Sequence, residues 1–325
     1  VYSPGGFKGS VSLSVTANDL GNTGAAGPLS TTDSLSINVD DSSFLQGNYL
    51  EVGFNSGGSI GTSAPAPSGF VNAGSNLGVI ADSDRDGWAS YDGDFILPGS
   101  PVDEWGINIG GSTLTNSTAL GNSISGSLGA TTDNGMTQST YWNGAASGLS
   151  ILNSYSVGKN DLYIDVTVTL TNTTGSALND IYYYRSTDPD NNYYSNSDFF
   201  TTNTILSQGD DGSGVALVSG TQPDGSYMAL MGFGSNARVA YGNFSGINPI
   251  DAYNGLNGHF TSGSAYDDVA ISLVYKINSL AAGESVTLNM RYVFDDQHAP
   301  VIDLDANNSN TSGYGYQTTY SENAA

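Results

Sequence analysis

The chain has 325 residues, with 7 Lys and Arg against 31 Asp and Glu, a formal net charge of −24 and no cysteine. A surface of that sign excludes nucleic acid and anionic membranes as partners, because both need clustered Lys and Arg; the missing cysteines exclude a disulfide scaffold. No apolar run reaches the roughly 18 residues of a membrane span, so no membrane insertion is expected.

The same surface attracts cations. The acids form no block of like charge and are spread through loops rich in Gly, Asp and Asn. Carboxylates spaced in that way can converge on a hard cation. Calcium fits, since it takes about 6–8 oxygens from Asp, Asn and backbone carbonyls. Several Ca2+ ions are the expected cofactors.

In chain order, residues 1–43 hold Val11-Ser-Leu-Ser-Val15 and Leu35-Ser-Ile37-Asn-Val39, which read as the closing strands of a β-domain. At the other end, within 299–325, Pro300-Val-Ile-Asp303-Leu-Asp305 and Tyr316–Tyr320 read as an opening strand. Residues 44–298 then stand as an insert between two pieces of extracellular-type β-domain, and the chain as a segment of something longer.

Residues 53–105 hold few strand-like runs, and a loop region of that length in a packed domain is usually functional or metal-ordered. It contains Asp82-Ser-Asp84-Arg-Asp86-Gly87-Trp88. Three Asp at a spacing of two put alternate carboxylates on one side of a tight loop, and Gly87 allows the sharp turn. This is the first half of an EF-hand loop without the second, because the twelfth position is Gly93 and no helix flanks it. Asp92 and Asp94 follow closely and can complete a metal shell. The bland alternative is an Asp-rich turn that hydrogen-bonds its own backbone.

Further on the period is two almost throughout. Leu162, Ile164, Val166, Val168 and Leu170 alternate with polar residues, as do Val269–Ile277 and Val286–Phe294. These patterns predict half-buried strands, with further strands at 181–185, 215–219, 227–233 and 238–243. The turn Leu280-Ala-Ala-Gly283-Glu284 predicts a hairpin joining the last two long strands. The fold class expected is all-β: an antiparallel β-sandwich with long calcium-ordered loops.

A second acidic cluster, Asp188-Pro-Asp190-Asn191-Asn192-Tyr193-Tyr194, leaves the aromatic strand Ile181-Tyr-Tyr183-Tyr. It offers a metal cage beside a stacking platform, since Tyr gives rigid amphipathic contact area at low entropic cost. The alternative puts Tyr182 and Tyr184 in the core and leaves only Tyr183 exposed. Asp210-Asp211 and Asp267-Asp268 read as solvated turns. Asp295, at the 44–298 border, joins Asp303 and Asp305 as candidate ligands of a junctional calcium.

Enzyme chemistry has little to stand on. His259 and His298 are the two histidines, and no Gly-x-Ser-x-Gly elbow accompanies either. A glycosidase-like pair of carboxylates, such as Asp94 with Glu104, is the remaining option. The chain is read as a non-enzyme.

Several stretches carry a family resemblance: Asn48-Tyr-Leu-Glu-Val-Gly-Phe54, Leu77-Gly-Val-Ile-Ala-Asp82-Ser-Asp-Arg-Asp-Gly-Trp88, Tyr91-Asp-Gly-Asp-Phe95, Tyr184-Arg-Ser-Thr-Asp188-Pro-Asp190 and Gly232-Phe-Gly234-Ser-Asn-Ala-Arg238. Residues 44–298 resemble the ligand-binding domain of giant bacterial RTX adhesins, calcium-dependent fibrils secreted by type I systems. The flanks 1–43 and 299–325 resemble the two halves of a split cadherin-like (Ig-like) β-sandwich. The resemblance implies a monomeric module near the tip of an extracellular, surface-attached adhesin. It implies adhesion to host or other cells and a role in biofilms, through a groove whose calcium captures the free carboxylate of a protein C-terminus. Asp188 and Asp190 are the expected ligands near the groove, with Asp82, Asp84 and Asp86 holding a structural calcium. Tyr183, Asn191, Asn192, Tyr193 and Tyr194 would surround the peptide, Gly232 and Gly234 form a backbone wall, and Arg238 hold an anionic group. Two other readings stay open. One is a calcium-dependent lectin binding surface glycans; the other is a spacer without ligand.

Overall fold

The structure, a computed structural model, describes residues 9–20, 30–39, 42–89, 93–190, 193 and 197–295. It is built from short antiparallel strands. β1 (Gly9–Asn18) and β2 (Ser30–Val39) pair with each other and, among the described residues, with no other strand. β3 (Ser43–Gln46), β4 (Leu50–Phe54) and β5 (Val79–Ala81) form a three-stranded sheet. β6 (Asp103–Ile109), β7 (Ser112–Ser117), β8 (Gly121–Asn122), β9 (Ser125–Leu128) and β10 (Thr132–Asp133) lead into four long strands. These are β11 (Thr137–Ala146), β12 (Leu149–Gly158), β13 (Tyr163–Asn172) and β14 (Leu178–Thr187). Next come β15 (Thr201–Ser207), β16 (Val215–Thr221), β17 (Tyr227–Phe233), β18 (Ala237–Tyr241) and the short helix α1 (Pro249–Asn254). β19 (Ser264–Asp267), β20 (Ile271–Leu280) and β21 (Ser285–Val293) complete the order.

Two large sheets face each other. One runs β10-β11-β12-β13-β21-β17-β16-β15-β19, with β9 also on β11; the other runs β18-β20-β14-β6-β7-β8. β13 alternates buried and half-buried residues along its whole length, the pattern expected of a strand with one covered face. Its inward Ile164, Val166, Val168 and Leu170 share one core with Trp105, Ile107, Ile181, Tyr183 and Leu273 from the opposite sheet. The all-β sandwich expected from the period-two pattern is therefore the observed fold. Segment 53–105 is not a free loop: Ile60, Leu77, Ile80, Phe95, Ile96 and Val102 are all buried and close the sandwich.

Two expectations are corrected. Leu280–Glu284 does not make a hairpin. β20 lies in the six-stranded sheet and β21 in the ten-stranded one, so the turn arches from layer to layer. Both strands need their apolar face in the same core, and an arch gives each its own sheet to do so. The turn is pinned by Gly283 N–H to Asn172 O (2.9 Å) and Asn172 N–H to Glu284 O (2.9 Å). Nor is Tyr183 a surface aromatic. β14 is covered on both faces over Ile181–Thr187. On the inner face Tyr183 stacks on Trp105 (centroids 6.0 Å apart) and donates to Asn153 Oδ1. On the outer face Tyr182 and Tyr184 pack with Ala252 of α1, Ile247 and Val274.

A buried charge joins the layers. The wholly buried Arg185 on β14 donates to the hydroxyls of Tyr155 (2.7 Å) and Tyr292 (3.2 Å), both on the ten-stranded sheet. Tyr292 donates in turn to Asp103 Oδ1 (2.7 Å), whose other oxygen accepts from Ile60 N–H and lies 4.0 Å from the guanidinium. Burial pushes the Asp103 carboxyl up to about 6 against the pull of Arg185. Removing one partner of a buried pair strands the other charge. Arg185→Ala is therefore expected to cost about 3–5 kcal/mol of stability, read as the shift in a urea unfolding curve.

Candidate functional site

Because β14 and β20 pair with Thr187 opposite Ile271, the residues leaving β14 and those entering β20 meet at one end of the sandwich. Asp188, Asp190 and Asp268 each bring a carboxylate oxygen there, all within 4.8 Å of one another. The Asp188-Pro189-Asp190 segment is strapped down by Asp188 N–H to Val102 O and Asp190 N–H to Phe95 O, both 2.9 Å. Pro189 rests on Gly220, where an added Cβ would come within 2.6 Å of the proline ring. Asp268 is placed by β19 and by the exchange of Ala270 N–H to Asn243 O and Gly242 N–H to Ala270 O.

The three carboxylates line a cavity of about 130 Å3 together with Gly99, Ser100, Phe199 and Phe244. Phe199 stacks on Tyr193 at 4.2 Å, and Gly99 admits it closely, since a Cβ there would meet the ring at 2.6 Å. The Phe244 segment is held from behind by the buried Glu104, which accepts from Gly246 and Ile247 N–H.

The electrostatics are unusual. Asp188 and Asp190 are 2 % and 1 % exposed, and one oxygen of each has no hydrogen-bond partner, as is also true of Asp268. Burial first, and then the charge of Asp268, pushes the Asp188 carboxyl up to about 8. Burial, with Asp188, Asp268 and Asp94 adding repulsion, pushes Asp190 up to about 9. Buried carboxylates without partners cost several kcal/mol unless a cation or a proton neutralises them. The donors are all carboxylate oxygen, with no imidazole or thiolate among the described residues, a set that could hold a hard metal ion.

The Asp82 loop is a second cluster, also with three oxygens within 4.8 Å. Its chemistry differs. Asp82 Oδ1 accepts from Asp86 N–H, and Oδ2 accepts from the N–H groups of Gly87 and Trp88. Asp84 accepts from Asp86 N–H and Asp86 from Ala89 N–H. These are the backbone bonds of an Asp-rich turn, and Arg85, Gly87 and Trp88 take positive φ within it. The loop is fixed by Asp82 N–H to Tyr49 O and by Ser83 Oγ to Phe294 O, which sets it next to the buried Asp295. The three Asp can still hold an ion.

Other expected site residues lie elsewhere. Asp94 is no open ligand: its oxygens are taken by the N–H groups of Gly78, Val79, Ile96 and Leu97, making it an anchor for the 93–97 segment. Gly232 is a close approach, but to Leu273 and the Tyr275 hydroxyl in the core rather than to a ligand. Gly234 turns at φ +113 after β17, and Arg238 faces Asp210 and Tyr253 instead of the cavity. Asp92, Asn191, Asn192, Tyr194, Asp303 and Asp305 fall outside the described residues. Asp268, Phe199 and Phe244 escaped the sequence reading, because only the β14–β20 register brings them to Asp188.

No family model matches the chain and no curated protein matches it. Among solved structures it is similar to a polysaccharide lyase at 16% identity and TM-score 0.37, covering 76% of this chain and 32% of that one. It is similar to a TPR-domain containing protein from Parabacteroides distasonis at 10% identity and TM-score 0.38, covering 88% and 55%. A GH36 α-galactosidase from Geobacillus stearothermophilus follows at 10% and 0.35, covering 79% and 40%. The chain thus spans from about a third to about half of these three proteins, and likeness at this level carries nothing about activity. Among the described residues no helix is long and apolar enough to cross a membrane.

Asp188 and Asp190 hold protons far more tightly folded than unfolded, where an Asp titrates near ~3.9. Metal-free stability is therefore expected to be highest below the unfolded value of ~3.9, to fall steadily as pH rises above it, and to level off only once the pH has passed about 8 for Asp188 and about 9 for Asp190. Thermal melts in chelator across this range should show the fall, and Asp188→Asn with Asp190→Asn should flatten it. Calcium added at pH 7 should displace those protons, seen as a binding heat that varies with the ionisation enthalpy of the buffer.

Proposed function

We propose that the chain is a calcium-dependent ligand-binding module of an extracellular adhesin, which captures the free carboxylate at a protein C-terminus and does no chemistry on it. One observation carries the reading: Asp188 and Asp190 are buried with unpartnered oxygens, beside Asp268, in a cavity that opens between aromatic side chains. Asp188, Asp190 and Asp268 would hold the calcium. A bound cation supplies positive charge in a protein of net charge −24, and so a point of attachment for an anionic oxygen that the rest of the surface repels. The cavity is small and its rim is Phe199, stacked on Tyr193, and Phe244. Such a rim suits the last residue of a chain better than a continuous polypeptide, and a free carboxylate distinguishes the two. The resemblance of Tyr184–Asp190 and Leu77–Trp88 to the ligand-binding domains of RTX adhesins supports the same reading.

Short peptides offered as matched free acids and C-terminal amides test this directly. Binding to the acids alone is expected in calcium, with loss in chelator and in Asp188→Asn and Asp190→Asn. Equal binding of acid and amide would sink carboxylate capture. Calcium at 100 times its Kd should also stabilise the fold by about 2.7 kcal/mol per site, and an unchanged melt on adding calcium would remove the metal from the reading.

A further inference from the structure

A second concavity is independent of the Asp188 site. It is a groove of about 530 Å3, walled by β3, the Gly47–Asn48 turn, the Asp82 loop, the β10–β11 turn and Lys159. That volume lies within the roughly 300–1,000 Å3 usual for small-molecule sites. We infer that this groove is a saccharide-binding site, with Trp88 as the face for a sugar ring and the amides of Gln46 and Gln138 as its polar contacts.

Three observations lead to that class of ligand. The first is Trp88. It packs on the Ala66, Leu77 and Ile80 cluster and lines the groove, and its ring N–H is tied to Asn48 O at 3.1 Å. Its backbone N–H bonds Asp82, and its φ is +68, a costly conformation for a bulky residue. The loop thus places an indole at the groove in one orientation, as flat ligands require. The second is the fixed amides. Gln46 donates to Glu51 and to Gly69 O, Gln46 N–H donates to Gln138 Oε1, and Gln138 donates to Asp133. Groups held before the ligand arrives lose little entropy on binding. The third is the charge balance. The two acids of the groove are spent internally: Glu51 accepts from Val71 N–H and Gln46, and Asp133 from Gly135 N–H and Gln138. Lys159 makes no ion pair among the described residues. What remains is a mixed set of donors and acceptors, including the Thr137 hydroxyl, beside one aromatic face. Ligand hydroxyls both donate and accept, and so can use such a set. An apolar ligand would strand those groups, and an anion would find one lysine in an acidic surface.

The three tryptophans give a clean readout, because Trp105 and Trp142 are wholly buried and only Trp88 meets solvent. The test is a printed array of neutral oligosaccharides, followed by titration of its best binder with tryptophan fluorescence and acrylamide quenching. Saturable binding is expected, with Trp88 shielded from acrylamide at saturation. Affinity should fall at least tenfold in Trp88→Ala and in Gln138→Ala, and stay within a few-fold in Trp88→Phe, which keeps an aromatic face. An array without saturable binding would overturn the inference. So would a bound oligosaccharide that leaves Trp88 open to acrylamide, or one that binds Gln138→Ala and Trp88→Ala as well as the parent.

Discussion

A guanidinium sealed from water holds the two sheets of this protein together. Arg185 is one of very few cations in the chain, and it lies in the middle of the core with its donors on Tyr155 and Tyr292 of the facing sheet. Charges are buried only where hydrogen bonds replace water. The network therefore sets how the layers sit: Asp103 reaches it through Tyr292, and Gly58 and Ile60 are drawn in by Tyr155 and Asp103. Three residues further along the chain, just past the end of that strand, stands Asp188. The cavity with its paired carboxylates thus depends on a core contact that never touches a ligand.

The two acidic clusters show why a count of Asp residues does not define a site. Asp82 is as buried as Asp190, yet its oxygens are occupied by three backbone N–H groups of its own loop. The loop is organised by its own hydrogen bonds, and an ion would add to an existing order. Asp188 and Asp190 lack that internal support and carry their charge into a cavity with another carboxylate. Repulsion there is relieved by protons or by a cation, so the occupant of the cavity is tied to the stability of the fold.

Much of this was legible in the residues. Strict alternation marked β13 and β21, because each has one face in the core and the side-chain period of a strand is two; β20 keeps that period on its core face, although Ile271–Tyr275 are buried on both faces. The pairs Asp82–Asp86 and Asp188–Asp190 were visible from spacing alone. The rest required pairing information. Asp268 looked like a turn residue, since nothing near it in the chain says that Ile271 lies opposite Thr187. Tyr183 looked exposed because alternation assumes one wet face, and α1 with the Ile247 segment removes it from β14. Gly232 did mark a close approach, but sequence cannot say whether the approaching group is a ligand or Leu273. The Leu280–Glu284 turn had the length of a hairpin, and only the separate sheets of β20 and β21 show it to be an arch.

That arch has a consequence for the order of assembly. β21 is the last described strand in the chain, but it lies inside the large sheet, between β13 and β17. Its partners come from positions as far apart as Tyr163 and Ala229, both opposite Val293. Until residues 285–293 are in place, the sheet consists of two halves with open edges facing each other. Contacts of such long sequence separation make folding slow, and open edges are aggregation-prone while they last. A chain emerging from its N-terminus would keep those edges unpaired until nearly all of this region had been delivered, so the closing of the large sheet is gated by the arrival of β21.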